Sequence, residues 1–360
     1  MKFHTQTLKY NLSKLAPSFT SNTMVPICEF VKIKTEEEQV TLSGTDLNIS
    51  IEKQFQGDID NGANEFMVHY KSLVEYLKLV TDIEIELTVG DKFSVGIKAG
   101  KSTASIEGED PSNMPKIGFN GTTSISFSLD QLHVMKNKLF PFRGNDDLRP
   151  IMDCLLIEKK SENAVAYMAS PHQSVMMDID LGDVEDFKEV VHFRIVSAID
   201  LFNDKDVLSL SFNSNEYCIS SESCKFIGRN VDEKYPNIQQ IFEGYVPDRF
   251  AEVDRKELLA ELKKAKLFSS GEDDKAILTF SENELAIKAI DPGYNKAYEN
   301  KIKVSYQDES LTIAVSATLF IKALSSFEEE SVFIGHMGAE DKPLFVKTEG
   351  QLNLSMPMRL

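Results

Sequence analysis

The sequence predicts an α+β protein made of three tandem copies of one domain, each with two helices packed on antiparallel sheets. Three observations carry this. The dipeptides Met114-Pro115, Tyr235-Pro236 and Met356-Pro357 each close a strand-like run and stand 121 residues apart, and self-similarity at a fixed period marks a repeated unit. A strand running into a turn with a short polar residue recurs at Asp46, Ser170 and Asp291, in steps of 124 and 121 residues. The chain has 360 residues, and a single hydrophobic core stops growing well before that length. The expected boundaries are 1–122, 123–245 and 246–360.

In the first copy a helix is predicted over 4–18, because Leu8, Leu12 and Leu15 recur at helical spacing with Lys9 and Lys14 off that stripe. Pro17 and Pro26 punctuate its exit. Strands are predicted over 28–34, 40–43 and 47–56, the last from the alternation of Leu47, Ile49 and Ile51. A second helix over 68–80 turns Leu73, Tyr76, Leu77 and Val80 inward and Lys71 and Lys78 outward, and a meander over 83–89, 93–99 and 102–107 follows. The second copy repeats this with helices over 129–142, carrying Lys136 and Lys138, and 193–202. Its strands are expected over 154–159, 165–168, 174–180, 207–212, 216–220 and 223–229. In the third copy Asp254 caps a helix that runs to Lys266, and a second helix covers 316–327. Strands there are expected over 277–280, 285–289, 296–306, 332–336, 344–348 and 352–356. Two helices among about eight strands per copy require sheets that pack on, or enclose, a helix pair.

Composition narrows the function. Hydrophobic residues make up 42%, enough for each copy to build its own core. Four scattered cysteines, Cys28, Cys154, Cys218 and Cys224, have no framework spacing, and the sequence opens without a charged-then-apolar leader, so a reducing cytoplasm is the expected location. No apolar run approaches the roughly 18 residues of a membrane span. The net charge of −18 argues against a protein coated all over by nucleic acid. The charge is uneven, however: the six helical segments, counted over 4–18, 69–80, 129–143, 192–203, 253–267 and 316–327, together carry +8, which leaves −26 for the rest. Five of the six are basic and none is acidic.

Enzyme chemistry finds little support. The run Gly96 to Ser102 is one residue short of a phosphate-binding loop and is followed by strand-like residues rather than a helix, so it reads as a hairpin turn. Cys218 and Cys224 lack a second pair of zinc ligands. Asp146 and Asp147 lack neighbouring metal ligands and read as a solvated loop. His172 and His192 have no serine or cysteine motif partner. No metal and no cofactor are expected.

The sequence resembles the beta subunit of bacterial DNA polymerase III, the sliding clamp, over its full length. The residues that carry the resemblance are Met1-Lys2-Phe3, the Thr41 to Leu47 run TLSGTDL, Gly144 to Arg149 (GNDDLR), Lys234-Tyr235-Pro236-Asn237 and above all Met356 to Leu360 (MPMRL). It implies a homodimer of three-domain clamp chains joined head to tail into a ring, with sheets outside and helices inside. Twelve helices at about 8 to 10 Å spacing give a circle roughly 30 to 38 Å across at the axes. Subtracting about 10 Å of helix thickness leaves a hole wide enough for duplex DNA. Weak, sequence-independent phosphate contacts would then permit sliding. Lys9, Lys14, Lys71, Lys78, Lys136, Lys138, Lys263 and Lys264 are the candidates by position on the helices.

By the same resemblance the ring closes between an edge strand around Ala104 and Ile106 and the pair Leu267 and Phe268 of the other chain. Partners, including the polymerase III alpha subunit and the clamp loader, would insert a short motif with apolar anchors into a cleft. The positions that match that cleft are Arg149, Met152, Ala169, Pro171, His172, Ser174, Pro236, Gln240, Ile241, Ser316, Leu319, Leu344, Leu354, Met356, Pro357, Met358 and Arg359. Several positions depart from the family pattern. The loop usually reading Thr-Asp-x-His is Ala169-Ser170-Pro171-His172, Gln173 and Ser174 stand where a basic residue and Leu are common, Gln240 replaces a frequent Arg, and Ala104 replaces a bulky apolar residue. Such changes predict altered side-chain preferences at the cleft. The expected function is a non-catalytic processivity factor, with the clamp of a phage or specialised polymerase, or a nucleotide-binding enzyme, as the alternatives.

Overall fold

One order of elements, strand, helix, four strands, helix, three strands, occurs three times in the computed structural model, which describes residues 1–19, 25–57, 64–121, 123–146, 148–271 and 274–360. The first copy holds β1 (Lys2–His4), α1 (Thr5–Lys14), β2 (Phe30–Glu36), β3 (Gln39–Thr45), β4 (Ile49–Gln56) and β5 (Asn64–His69). It continues with α2 (Tyr70–Leu79), β6 (Glu84–Val89), β7 (Val95–Ala99), β8 (Ser102–Ile106) and a two-residue strand β9 (Gly108–Glu109). The second copy begins with β10 (Thr123–Phe127), α3 (Leu129–Val134), β11 (Cys154–Lys160), β12 (Asn163–Ala169), β13 (Gln173–Asp178) and β14 (Phe187–His192). A 3-10 helix (Phe193–Leu201) then leads to β15 (Leu208–Phe212), β16 (Glu216–Ser220), β17 (Cys224–Arg229) and the extra helix α4 (Ile238–Gly244). In the third copy β18 (Arg249–Asp254), α5 (Arg255–Leu267), β19 (Lys275–Ser281), β20 (Glu284–Asp291) and β21 (Lys296–Lys303) come first. β22 (Leu311–Ser316), α6 (Ala317–Ser325), β23 (Ser331–His336), β24 (Leu344–Thr348) and β25 (Gln351–Ser355) complete it.

These elements form two compact units, and the middle copy is shared between them. Residues 1–133 and 194–230 make the first unit; residues 134–193 and 231–360 make the second. The first contains a four-stranded sheet, β1-β6-β7-β8, and a nine-stranded sheet, β10-β15-β16-β17-β4-β3-β2-β5-β9. The second contains an eight-stranded sheet, β14-β11-β12-β13-β25-β24-β23-β18, and a four-stranded sheet, β21-β20-β19-β22. Every named pairing is antiparallel. Each long sheet has a seam where two copies meet: β17 on β4, from Cys224↔Lys53 to Gly228↔Ile49, and β13 on β25, from Gln173↔Ser355 to Met177↔Gln351. In the first unit α1 buries Leu8 and Leu12 and α2 buries Leu73 and Leu77. In the second α5 buries Leu258 and Leu262 and α6 buries Phe320 and Leu324.

The expected helices and most expected strands are present, with informative differences. Val68 and His69 close β5 instead of opening a helix, because His69 is the N-cap: its Nδ1 accepts the Ser72 N–H at 3.2 Å. Leu47 does not extend β4. The Asp46 carboxylate accepts the N–H groups of Asn48 and Ile49 at 2.9 and 2.7 Å, which forms a turn and leaves Leu47 at φ 73° and 45% exposed. The helix expected over 129–142 is α3 followed by a π-helical turn (Met135–Leu139) and a 3-10 turn (Phe140–Phe142). Pro141 has no N–H to bond to the Asn137 carbonyl, and so the regular ladder cannot continue through it. Strands β5, β10, β14, β18 and β22 were not foreseen, and neither was α4. No helix among the described residues is long and apolar enough to cross a membrane.

Candidate partner cleft, helix faces and edge strands

The residues matched to a partner cleft all lie in the second unit, and three kinds of element bring them together. Strands supply the base: Ala169 ends β12, Ser174 lies in β13, Leu344 starts β24 and Leu354 lies in β25, and all four are buried. Ala169 and Leu354 belong to an apolar cluster with Leu156, Tyr167, Ile238, Phe242 and Phe345. Helix α4 lies over that cluster through Ile238 and Phe242, which are one helical turn apart, and so presents Gln240 and Ile241 to solvent. Tyr235, before Pro236, packs against the same cluster and donates its hydroxyl to the Tyr167 carbonyl at 3.3 Å. Burial pushes that phenol well above its ordinary range.

The tail forms the third part. After β25 the Met356 N–H donates to the His172 carbonyl at 2.9 Å, and the Met358 N–H donates to the Ala314 carbonyl of β22 at 2.8 Å. Lys275 Nζ reaches the Arg359 carbonyl at 3.3 Å. The backbone from Met356 to Arg359 is thereby stitched from the β12–β13 loop to the small sheet, with the Met356 side chain 37% exposed. Beneath it Gln173, 1% exposed, donates from Nε2 to the Leu319 carbonyl at 2.7 Å and to Ser355 Oγ at 2.9 Å. Ser316 caps α6 by accepting the Leu319 N–H at 3.2 Å. Pro171 and His172 are exposed at the loop tip, and Pro357 and Met358 are half-buried. Arg149 sits at the 3-10 turn (Pro150–Asp153) that carries Met152, its guanidinium paired at 2.8 Å to Asp146, whose carboxyl is held below the usual range by that bond and the Leu148 N–H. Asp147 lies outside the described residues.

The sequence reading missed Gln173 as a buried tie and α4 as a cover. The second carries a legible signal, Ile238 and Phe242 at helical spacing just after Pro236; the first does not, since a glutamine in a strand normally faces water.

The candidate cations fare differently. Lys71 and Lys78 are exposed on one face of α2, two turns apart, and Lys263 is exposed on α5. Lys9 is half-exposed on α1. Lys14 is engaged, with its ammonium bonded to the Asp200 carbonyl and 4.8 Å from the Tyr10 ring centre. Lys264 is paired to Glu261 at 2.6 Å. Lys136 and Lys138 fall in the π-helical turn rather than on a regular helix face.

Of the two expected interface elements one is a sheet edge and the other a helix end beside one. β8 is the outermost strand of its sheet, with Ala104 and Ile106 half-buried on it. Leu267 is 73% exposed at the end of α5, and Phe268 stacks on Tyr298 of the edge strand β21 at 5.7 Å. Leu267 is therefore no core residue of its helix.

The nucleotide-enzyme alternative has no support in the geometry. Gly100 and Lys101 form the two-residue turn of the β7–β8 hairpin, register Ala99↔Ser102, with Gly100 at φ 55°. A Cβ there would stand 2.5 Å from the Asp82 carboxylate, an unsuitable neighbour for phosphate. All four cysteines are buried, and burial pushes the thiols of Cys218 and Cys224 up to about 11 and about 12. Among the described residues no three or more His, Cys, Asp or Glu side chains come together as for a metal.

A chain in which one α+β unit of antiparallel sheets and paired helices occurs three times has the build of the clamp-type scaffolds. Comparison makes the class specific. Sequence models described as the DNA polymerase III beta subunit, N-terminal domain, and the DNA polymerase III beta subunit, C-terminal domain, match residues 1–118 and 247–359. The beta sliding clamp of Halalkalibacterium halodurans is 25% identical over 97% of this chain and 96% of its own, and that of Staphylococcus aureus is 20% identical over the same shares. The crystal structure of the DNA polymerase III beta subunit from Pseudomonas aeruginosa superposes with a TM-score of 0.91 at 18% identity over 100% of both chains. That of the DNA polymerase sliding clamp from Bacillus subtilis gives 0.91 at 17% identity, covering 100% of this chain and 98% of the other. The chain belongs to the DNA polymerase III beta-subunit family, whose members are non-catalytic sliding clamps.

Proposed function

We propose that this chain is a DNA sliding clamp: two copies join head to tail into a ring around duplex DNA and tether the replicative polymerase and its loader through the cleft. The observation that carries the reading is the tail from Met356 to Arg359, stitched by backbone hydrogen bonds beside an apolar bed capped by α4. A groove with fixed walls and thioether side chains suits short motifs with apolar anchors. Burial of one Leu or Phe anchor there contributes about 1.5 to 3 kcal/mol.

Ring closure is supported by the two edge strands. β8 and β21 each end a four-stranded sheet, and an edge offers a row of free N–H and C=O groups for strand addition. Pairing β8 of one copy with β21 of another, beside Leu267 and Phe268, makes a heterologous contact that closes because the second contact returns to the first chain. The repeat units 1–122, 123–245 and 246–360 each supply two repeated helical segments, and Lys9, Lys71, Lys78 and Lys263 are the candidate cations on regular helix faces that lack the pairings of Lys14 and Lys264. Such a ring acts where chromosomal DNA is, in the cytoplasm.

The decisive experiment is retention on DNA. Loaded onto a nicked circle, the protein should remain bound through high-salt washing and be lost once the circle is linearised; equal loss from both templates would rule the ring out.

A further inference from the structure

Glu261 is a buried carboxylate outside the candidate cleft, and of the candidate helix cations it pairs with Lys264. It lies in α5, 6% exposed, and binds three donors. Oε1 accepts from Lys264 Nζ at 2.6 Å, and Oε2 accepts from Tyr298 Oη and from Asn300 Nδ2, the latter at 2.8 Å. Lys264 is largely exposed, but Tyr298 and Asn300 belong to β21, the outermost strand of its sheet. Next to β21, strand β20 buries Leu285, Ile287 and Ala289, which pair with Ile302, Asn300 and Tyr298 respectively. Two of the three β21 residues on that face are thus polar. An edge strand packed on its helix through Ile302 alone would be loosely placed. The charge-assisted bonds to Glu261 supply the missing attachment. Tyr298 also stacks on Phe268, with ring planes 28° apart, so the same carboxylate indirectly orients the aromatic residue next to exposed Leu267.

We propose that Glu261 is a positioning residue for ring closure: its carboxylate holds the β21 edge, and through Tyr298 the Phe268 ring, in the geometry against which β8 of a second copy docks. The inference rests on the head-to-tail ring proposed above. Strand addition needs the edge in register and its neighbours in place before contact. A carboxylate that ties two alternate residues of the edge to the adjacent helix provides that without touching the second copy.

Sedimentation velocity on the full chain at neutral pH tests this with Glu261→Gln, Tyr298→Phe and, as a control, Asn353→Ala. The control removes buried hydrogen bonds from Asn353 to the Ala323 carbonyl and Ser326, and so costs stability far from β21. Glu261→Gln replaces one carboxylate oxygen by a donor that faces other donors, so the dimer dissociation constant should rise about tenfold or more. Tyr298→Phe keeps the stack and loses one bond, so a rise of about threefold or more is expected. Asn353→Ala should melt earlier yet dimerise like the parent. Parent-like dimerisation of both β21-directed variants, or equal weakening by the control, overturns the proposal; should Glu261→Gln not fold, Tyr298→Phe decides. A parent that stays at 40.5 kDa at every concentration overturns the ring itself and the proposal with it.

Discussion

His336 is fully buried, and its hydrogen bonds fix its protonation state. Nδ1 accepts the Gly338 N–H at 3.1 Å, so the proton sits on Nε2, which faces Tyr306 Oη at 3.1 Å; that hydroxyl donates in turn to the Glu309 carbonyl. A second ring proton would oppose the Gly338 N–H. Burial, and the nearby Arg249 charge, lower the imidazole below its ordinary 6.5, with Asp308 and Asp248 opposing the shift. A base with a lowered folded pKa is fully stabilising above its unfolded value and loses that contribution as pH falls through the interval beneath it. Urea melts should therefore show less stability at pH 5.5 than at pH 7.5, and a flatter dependence in His336→Gln. Gly338→Ala should be costly because the residue lies at φ 70°, a conformation that side chains rarely adopt, and the Arg249 guanidinium 2.0 Å from the added Cβ must swing aside. About 2 kcal/mol is expected in the same melts. Glu261 behaves in the opposite chemical sense. Burial alone would raise its carboxyl, but bonds from Lys264, Tyr298 and Asn300 outweigh it and bring the value to about 2. Its contribution is intact above the ordinary 4.5 and disappears as pH falls towards 2. None of these networks is legible from sequence, because each depends on a bond across 30 or more positions, His336 to Tyr306 and Glu261 to Tyr298 and Asn300, with no motif to mark it.

At the scale of elements, one comparison between copies explains why α4 covers the second copy's sheet and no helix covers the first's. Leu156, Tyr167 and Met176 are cross-strand neighbours on β11, β12 and β13, and α4 covers that face. Exactly corresponding neighbours on β2, β3 and β4, each 124 residues earlier, are Lys32, Ser43 and Glu52. There Lys32 pairs with Glu65 at 2.6 Å, no helix follows Met114-Pro115, and an open groove of about 620 Å³ remains. An apolar face recruits a helical cover and a charged one does not, because only the former gains by leaving water. Phe242→Ala should consequently cost about 3 kcal/mol in urea melts and weaken a cleft-binding peptide in fluorescence anisotropy. The triplication, the positions of the repeated helical segments and most strands were readable from spacing alone. What escaped were strands such as β5, β14, β18 and β22, which precede helices and share their apolar residues with them, so that period 2 and period 3.6 overlap. The π-helical turn escaped for a different reason: Pro141 signals a break in the ladder but not the form the preceding turn takes.

For the molecule as a whole, the proposed cleft and the proposed ring contacts use different elements and should be separable. Removal of residues 356–360 takes away the stitching to His172 and Ala314 but leaves β8, β21, Leu267 and Phe268 in place. The shortened protein should still sediment as a dimer of about 81 kDa, while peptide affinity falls by at least about tenfold. Unchanged anisotropy would contradict the placement of the cleft. Resemblance pointed to those residues; their backbone connections needed coordinates. One topological feature reaches further. β25 follows every other strand of its sheet in chain order, yet it occupies an interior position, between β13 and β24. As the polypeptide leaves the ribosome, that sheet exists as two separate halves with raw borders until Gln351–Ser355 emerge to join them. Interrupted translation short of that point yields a product open to mispairing with its neighbours, and so the cell's proteases and chaperones have a clear mark by which to tell the unfinished protein from the finished one.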